Sequence, residues 1–132
     1  MFDREKAGKA VVKLIKETID DRLKWSVVSQ KLNMLESKVG LVVGRVYTTA
    51  YRENSFRLYQ YQPVQHEYSY VSFTTKKRKQ EVIIRLELLE STSEEALWTF
   101  PPDTVGLSDL YNTVRLKTTN IDKILDDILA DD

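Results

Sequence analysis

Residues 81–90 carry the pattern that most restricts how this chain can fold. Apolar residues occupy every second position, at Val82, Ile84, Leu86 and Leu88. Glu81, Arg85 and Glu87 fall on the other face. Successive side chains of a strand point to opposite faces, so this alternation predicts a β-strand with one buried and one wetted face. Such strands are typical of antiparallel sheets.

Four other segments have the β-branched, aromatic or alternating pattern of strands: 39–51, 55–62, 68–75 and 96–100. A bulge is expected at Gly44, a hairpin turn at 52–54 and a charged turn at 76–79. Residues 23–28 indicate a short strand or a turn. Residues 31–38 fit a loop or one helical turn equally well. The sequence therefore predicts an antiparallel β-meander of about five strands.

Helical periodicity marks both ends of the chain. Residues 3–23 place apolar side chains at steps of three and four, at Val11, Leu14, Ile15, Ile19 and Leu23. A similar stripe follows from Leu107 through Tyr111, Val114, Thr118, Ile121, Leu125 and Ile128, widened by Leu110, Ile124 and Leu129. Two helices meeting near Thr119 are favoured over one continuous helix.

These elements predict an α+β fold over residues 1–132 as a single domain: an N-terminal helix, the antiparallel meander, and a C-terminal helical segment packed on the sheet. We expect Trp98 and Phe100 to be buried against Val11, Ile15 and Ile19. We expect Leu125 and Ile128 to face protein. The same stripe could instead form the seam of a homodimer.

The end of the chain carries a resemblance as well. Residues 97–101 read Leu-Trp-Thr-Phe-Pro and are followed by 107–111, Leu-Ser-Asp-Leu-Tyr, and by 121–129, Ile-Asp-Lys-Ile-Leu-Asp-Asp-Ile-Leu. This resembles small uncharacterised bacterial and phage-borne proteins in which a Trp-x-Phe-Pro strand end leads into an amphipathic C-terminal helix. Because these are packing motifs, the resemblance implies a fold and a microbial setting but no reaction.

Residue types that commonly carry catalysis or hold metals are scarce. The chain has no cysteine and one histidine, His66, so a His-based triad or an ordinary zinc site is not expected. The acidic pairs 126–127 and 131–132 fall on the wet face and at the end of a helix, which does not favour a metal site. No membrane span is expected, since the longest apolar run covers only residues 39–43. The sequence therefore predicts a cytoplasmic protein that is not an enzyme and uses no cofactor.

Charge is strongly polarised along the chain, although the formal net charge is +0. Residues 1–80 hold 16 Lys/Arg and 8 Asp/Glu, whereas residues 81–132 hold 4 and 12. Two oppositely charged halves that pack together, or one face that attracts an anionic partner, would each explain this asymmetry.

A basic run at Lys76, Lys77, Arg78 and Lys79 lies near strands rich in tyrosine. Clustered Lys/Arg bind phosphates and exposed aromatic rings stack on bases. The alternative to such a binding role is a solvated hairpin tip that keeps the sheet soluble, with tyrosines filling half-buried faces.

Two functions follow from these patterns. The favoured one is a small non-enzymatic protein-binding module of inhibitor, immunity or adaptor type, of microbial or phage origin, which contacts its partner through the sheet face and the acidic C-terminal segment. The alternative is a nucleic-acid or nucleotide binder. The candidate binding residues for either role are Arg57, Tyr59, Tyr61, Tyr68, Tyr70, Lys76, Lys77, Arg78 and Lys79.

Overall fold

The computed structural model describes residues 4–28, 39–63, 81–90 and 95–130. Its elements, in chain order, are α1 (Arg4–Ile19), β1 (Ser26–Val27), β2 (Leu41–Tyr51), β3 (Asn54–Gln62), β4 (Ile83–Leu89), β5 (Ala96–Thr99), α2 (Leu107–Thr118) and α3 (Ile121–Leu129). This confirms the predicted α+β class and the two C-terminal helices. The strand expected at 68–75, the turn at 76–79 and the undecided segment 31–38 lie outside the described residues.

The five strands form one sheet in the order β1-β2-β3-β4-β5, and each pairs antiparallel with its neighbours. A two-residue turn joins β2 to β3, with Arg52 and Glu53 at φ of 47° and 69°. The pairing of β2 with β3 shifts between Val43 and Tyr47, which confirms the predicted bulge. Glycine suits position 44 in this bulge because its φ is +76° and a Cβ there would lie 3.2 Å from the Tyr111 hydroxyl.

Helices α1 and α2 pack side by side on one face of the sheet. A Cβ on Gly106, just before α2, would lie 3.2 Å from Val11 Cγ1. At the other end of α2, Lys117 Nζ donates to Asp21 Oδ1 at 3.2 Å. The two helices therefore run in the same direction. The core between them and the sheet contains Ala7, Val11, Leu14, Tyr47, Leu58, Leu86, Phe100, Leu107, Leu110, Tyr111 and Val114.

The predicted packing of Trp98 and Phe100 is only partly correct. Phe100 is buried in the core. Trp98 is only partly buried and packs against the same core, and the centroids of the two rings are 4.5 Å apart. Val11 belongs to the same core cluster, as expected, but Ile19 is 53% exposed. The reason is helix geometry: Val11, Leu14 and Thr18 occupy the inner side of α1, and Ile19 lies one step around the helix, on its outer side.

The expectation of a wetted sheet face is wrong for the centre of the sheet. Glu87, on the polar side of β4, is only 3% exposed, and its neighbour Arg57 on β3 is 8% exposed. A second apolar cluster of Val46, Tyr59 and Tyr61 lies on this same face. Alternation separates the two faces correctly, but a polar side chain with a partner can be buried on either one.

In residues 4–28, 39–63, 81–90 and 95–130, no helix combines the length and the apolar character that crossing a bilayer requires.

Candidate binding surface

Three of the candidate binding residues lie on β3, on the sheet face away from α1 and α2. Arg57, Tyr59 and Tyr61 occupy alternate positions of that strand, so their side chains share one face. All three are buried. Their companions Tyr68, Tyr70, Lys76, Lys77, Arg78 and Lys79 lie outside the described residues. The structure therefore brings three of the nine together, and these three do not form an exposed tyrosine patch.

The Arg57 guanidinium is engaged within the sheet. Arg57 pairs with Glu87 across β3 and β4, and its Nε donates to Glu87 Oε1 at 2.7 Å. Both side chains are nearly inaccessible to water, at 10% and 4% exposure. A buried, directly bonded ion pair neutralises its own charge. Arg57 therefore offers little positive charge to a phosphate.

Tyr59 is held as a neutral phenol. Burial is the main cause that raises the pKa of Tyr59 above its ordinary value, and the negative charge of Glu87 adds to it. The guanidinium groups of Arg85 and Arg57 act in the opposite direction but do not offset the burial. Among the described residues, no side chain makes a well-formed hydrogen bond to this hydroxyl. The ring therefore contributes mainly as a packed apolar surface.

The aromatic rings of this face are also covered by arginines of the same chain. The Arg85 guanidinium lies 4.9 Å from the centre of the Tyr61 ring, and that of Arg57 lies 5.9 Å from the centre of the Tyr59 ring. A cation over an aromatic face is stabilised by the ring's electrons. The arginine and tyrosine pattern that suggested nucleic-acid binding thus has an internal use here. Binding through Lys76 to Lys79 remains a prediction.

One exposed apolar surface lies on α3. Every described residue of this helix is exposed. Its apolar side chains are exposed to between 41% and 69%: Ile121, Ile124, Leu125, Ile128 and Leu129. They share one side of the helix, which we call the α3 stripe. The expectation that Leu125 and Ile128 face the rest of the protein is wrong, because they are 51% and 63% exposed. Of the two C-terminal helices, α2 buries side chains against the sheet and α3 buries none.

The junction between α2 and α3 explains why the stripe does not simply continue. Thr119 has extended backbone angles and ends α2. Asn120 then begins α3, and its side-chain oxygen accepts a hydrogen bond from the Lys123 backbone N–H at 3.2 Å. Asn120 is therefore the residue that caps α3. Because the chain turns here, the α3 stripe is not an extension of the buried side of α2.

Carboxylates border the α3 stripe on both sides. Asp122 and Asp126 follow its Leu125 and Leu129 edge, and Asp127 lies beside Ile124 on the other edge. All three are exposed. The surface that α3 presents is therefore apolar along its centre and acidic along its margins.

A second exposed apolar surface runs along the outer side of α1. Val12 and Ile19 are 56% and 53% exposed, and the half-buried Ile15 lies between them. We call these three residues the α1 stripe. Lys9 and Lys16 are exposed beside it, one helical turn from Val12. Ile15 and Ile19 were both expected in the core, and only Ile15 packs against it. The offset of Val12 from Val11 and Leu14 is the signal in the sequence that indicates the outer side.

Among the described residues, no three His, Cys, Asp or Glu side chains converge closely enough to hold a metal ion. Comparison of the chain with protein-family models, with curated proteins and with solved structures finds no match. The resemblance of its C-terminal motifs to small bacterial and phage-borne proteins stays a prediction.

Proposed function

We propose that this protein is a small, non-enzymatic module that binds another protein chain through the α3 stripe. The observation that carries this proposal is that α3 is amphipathic yet buries none of its side chains in the described part of its own chain. An apolar stripe of this kind is stabilised when a partner removes it from water.

The spacing of the stripe supports this mode of contact. Ile121, Ile124, Leu125 and Ile128 stand at positions i, i+3, i+4 and i+7 of the helix. These are the anchor positions by which an amphipathic helix binds an apolar surface of another protein. A helix of nine residues is also marginal on its own in water, so docking would stabilise its folded form.

The proposed module is of inhibitor, immunity or adaptor type. The proposal also includes a microbial or phage origin and a cytoplasmic location. The sheet face contributes less to it than expected, because Arg57, Tyr59 and Tyr61 are already packed within the protein. The acidic C-terminal segment therefore provides the contact surface.

Site-specific photo-crosslinking in cells that produce the chain tests the proposal. A photoreactive amino acid in place of Leu125 should yield a discrete covalent adduct with a protein, and the additional substitution Ile128→Asp should abolish that adduct. The same photoreactive group in place of Lys123, on the polar side of α3, is the matched control and should yield none. If both positions gave the same products, or Leu125 gave no protein adduct, α3 would not be a protein-binding helix.

A further inference from the structure

We infer that the partner of α3 is a second copy of this chain, and that the α3 stripe of each copy packs on the α1 stripe of the other. This inference rests on the proposed function, because it names the partner of the same helix. The contact is reciprocal, so two copies form a closed, two-fold symmetric dimer.

The two stripes match in length and in composition. Val12 and Ile19 are seven residues apart on α1, and Ile121 and Ile128 are seven residues apart on α3. At about 1.5 Å of rise per residue, the α1 stripe is about 10 Å long and the α3 stripe, which extends to Leu129, is about 12 Å long. The α1 stripe consists of valine and isoleucine and the α3 stripe of isoleucine and leucine, and these side chains are about half exposed or more, apart from the half-buried Ile15. Each stripe can therefore cover the apolar length of the other.

Their margins carry opposite charge. Lys9, whose Nζ lies 3.3 Å from Glu5 Oε1, and Lys16 border the α1 stripe, whereas Asp122, Asp126 and Asp127 border the α3 stripe. Over the whole elements, α1 holds five Lys/Arg and two Glu, and α3 holds three Asp and one Lys. Opposite charges along the edges of an apolar contact favour the pairing and set its register. The charge polarity of the chain as a whole has the same sign: basic before residue 80 and acidic after it.

The charges on α3 also disfavour two other binding partners, which are a second α3 helix and an anionic membrane surface. If two α3 helices packed together antiparallel, the Asp122 and Asp126 margin of one would meet the same margin of the other. If they packed in parallel, this margin would meet Asp127. Carboxylates would face carboxylates in both arrangements, which disfavours an α3 to α3 seam. An anionic membrane surface would be repelled by the same aspartates.

A symmetric dimer enlarges the contact, which would be small if it involved only one pair of helices. A stable interface between proteins usually involves about 20–30 residues from each side. A single contact between α3 and α1 would involve far fewer. The symmetric arrangement repeats the contact, so each copy contributes both its α1 stripe and its α3 stripe.

The test begins with the purified full-length chain, measured by sedimentation velocity or light scattering over a wide range of concentrations. We expect a reversible equilibrium whose upper limit is twice the 15.4 kDa mass of the chain. Ile128→Asp on α3 and Val12→Asp on α1 should each weaken dimerisation at least tenfold, because each places a carboxylate in both copies of the contact. Leu97→Asp is the matched control, since Leu97 is 60% exposed on β5 and lies outside both stripes.

Mixing the two monomeric variants distinguishes this pairing from other dimers. The Val12→Asp chain keeps an intact α3, and the Ile128→Asp chain keeps an intact α1, so the mixture regains one native contact. We expect the mixture to form a heterodimer that is weaker than the parent dimer, while neither variant associates alone. In an α3 to α3 dimer only Ile128→Asp would disrupt association, and in an α1 to α1 dimer only Val12→Asp would, so mixing would restore nothing.

Charge reversal provides an independent test. Lys16→Glu should weaken the dimer, and Asp126→Lys in the partner chain should restore part of the association. A chain that stays monomeric at every concentration, or a dimer that Val12→Asp leaves unchanged, would overturn the inference. If α3 still gave an adduct with a different protein in cells, the proposed function would stand and only the identity of the partner would be wrong.

Discussion

Arg57 and Glu87 face each other across β3 and β4 with Arg57 Nε 2.7 Å from Glu87 Oε1, and both side chains are buried. The pair lies on the sheet face opposite α1 and α2, where alternation in the sequence had predicted contact with water. Charged residues at these positions are therefore structural.

Removing one member of this pair should be far more harmful than removing both. Arg57→Met leaves the Glu87 carboxylate buried without its main partner, so we expect the free energy of unfolding to fall by about 3–5 kcal/mol. The double variant Arg57→Met/Glu87→Leu should lose less than either single variant, because no uncompensated charge remains. Urea unfolding of the four proteins in a double-mutant cycle measures both effects. Additive losses would mean that the two side chains do not act as a pair.

Tyr59→Phe should change the stability of the protein at high pH more than at neutral pH. The pKa of Tyr59 in the folded protein is raised above its ordinary value of 10.0, chiefly by burial. Between pH 10 and the folded-state pKa, the unfolded chain has lost a proton that the folded chain retains. The free energy of unfolding should therefore fall as the pH rises above about 10.

In Tyr59→Phe this fall should be smaller. It should not vanish, because burial also raises the pKa of Tyr111. Denaturant unfolding at neutral pH and at pH values above 10 measures the difference. Equal losses in both proteins would show that Tyr59 ionises normally.

Phe100→Ala should destabilise the protein more than Trp98→Ala, although tryptophan is the larger side chain. Phe100 is 5% exposed within the core, whereas Trp98 is only partly buried. We expect Phe100→Ala to cost about 3–5 kcal/mol. The two rings touch, so each loss includes part of their shared contact. Thermal or urea unfolding gives the ranking, and the reverse order would place Trp98 deeper in the core than the structure does.

Deleting residues 121–132 should leave the rest of the protein folded. The described residues of this segment bury no side chain, so the core of α1, α2 and the sheet keeps its contacts. For a monomeric sample we expect an unfolding midpoint close to that of the full chain, measured by circular dichroism. The matched control is Leu110→Ala on α2, which removes a fully buried side chain and should cost about 2–5 kcal/mol. Unfolding or aggregation of the truncated chain would contradict the exposed position of α3.

The local spacing of apolar residues was sufficient to predict most of the helices and strands. Alternation identified β3, β4 and β5, and steps of three and four residues identified α1 and α2. Gly44 indicated the bulge and residues 52–54 the hairpin turn. These features can be predicted from sequence because they depend on the backbone geometry of one helix, strand or turn. That geometry favours particular residue types at particular spacings.

The candidate surface could be predicted only in part, because a stripe of apolar residues is the same whether it is buried or exposed. Val114 and Ile128 belong to one continuous helical pattern in the sequence, yet Val114 is fully buried and Ile128 is 63% exposed. The turn at Thr119 and Asn120 changes the direction of the chain between them. Likewise, Ile19 fits the apolar pattern of α1 but lies on its outer side.

The sequence by itself determined the α+β class, the antiparallel meander, the break between the two C-terminal helices and the opposite charge of the two parts of the chain. Tertiary structure alone decided that Arg57 and Glu87 are buried together, that Tyr59 and Tyr61 pack inside, and that α3 is left uncovered. Secondary structure depends on neighbours along the chain, which the sequence contains directly. Burial depends on which distant elements meet, and that is settled only when the sheet and helices pack.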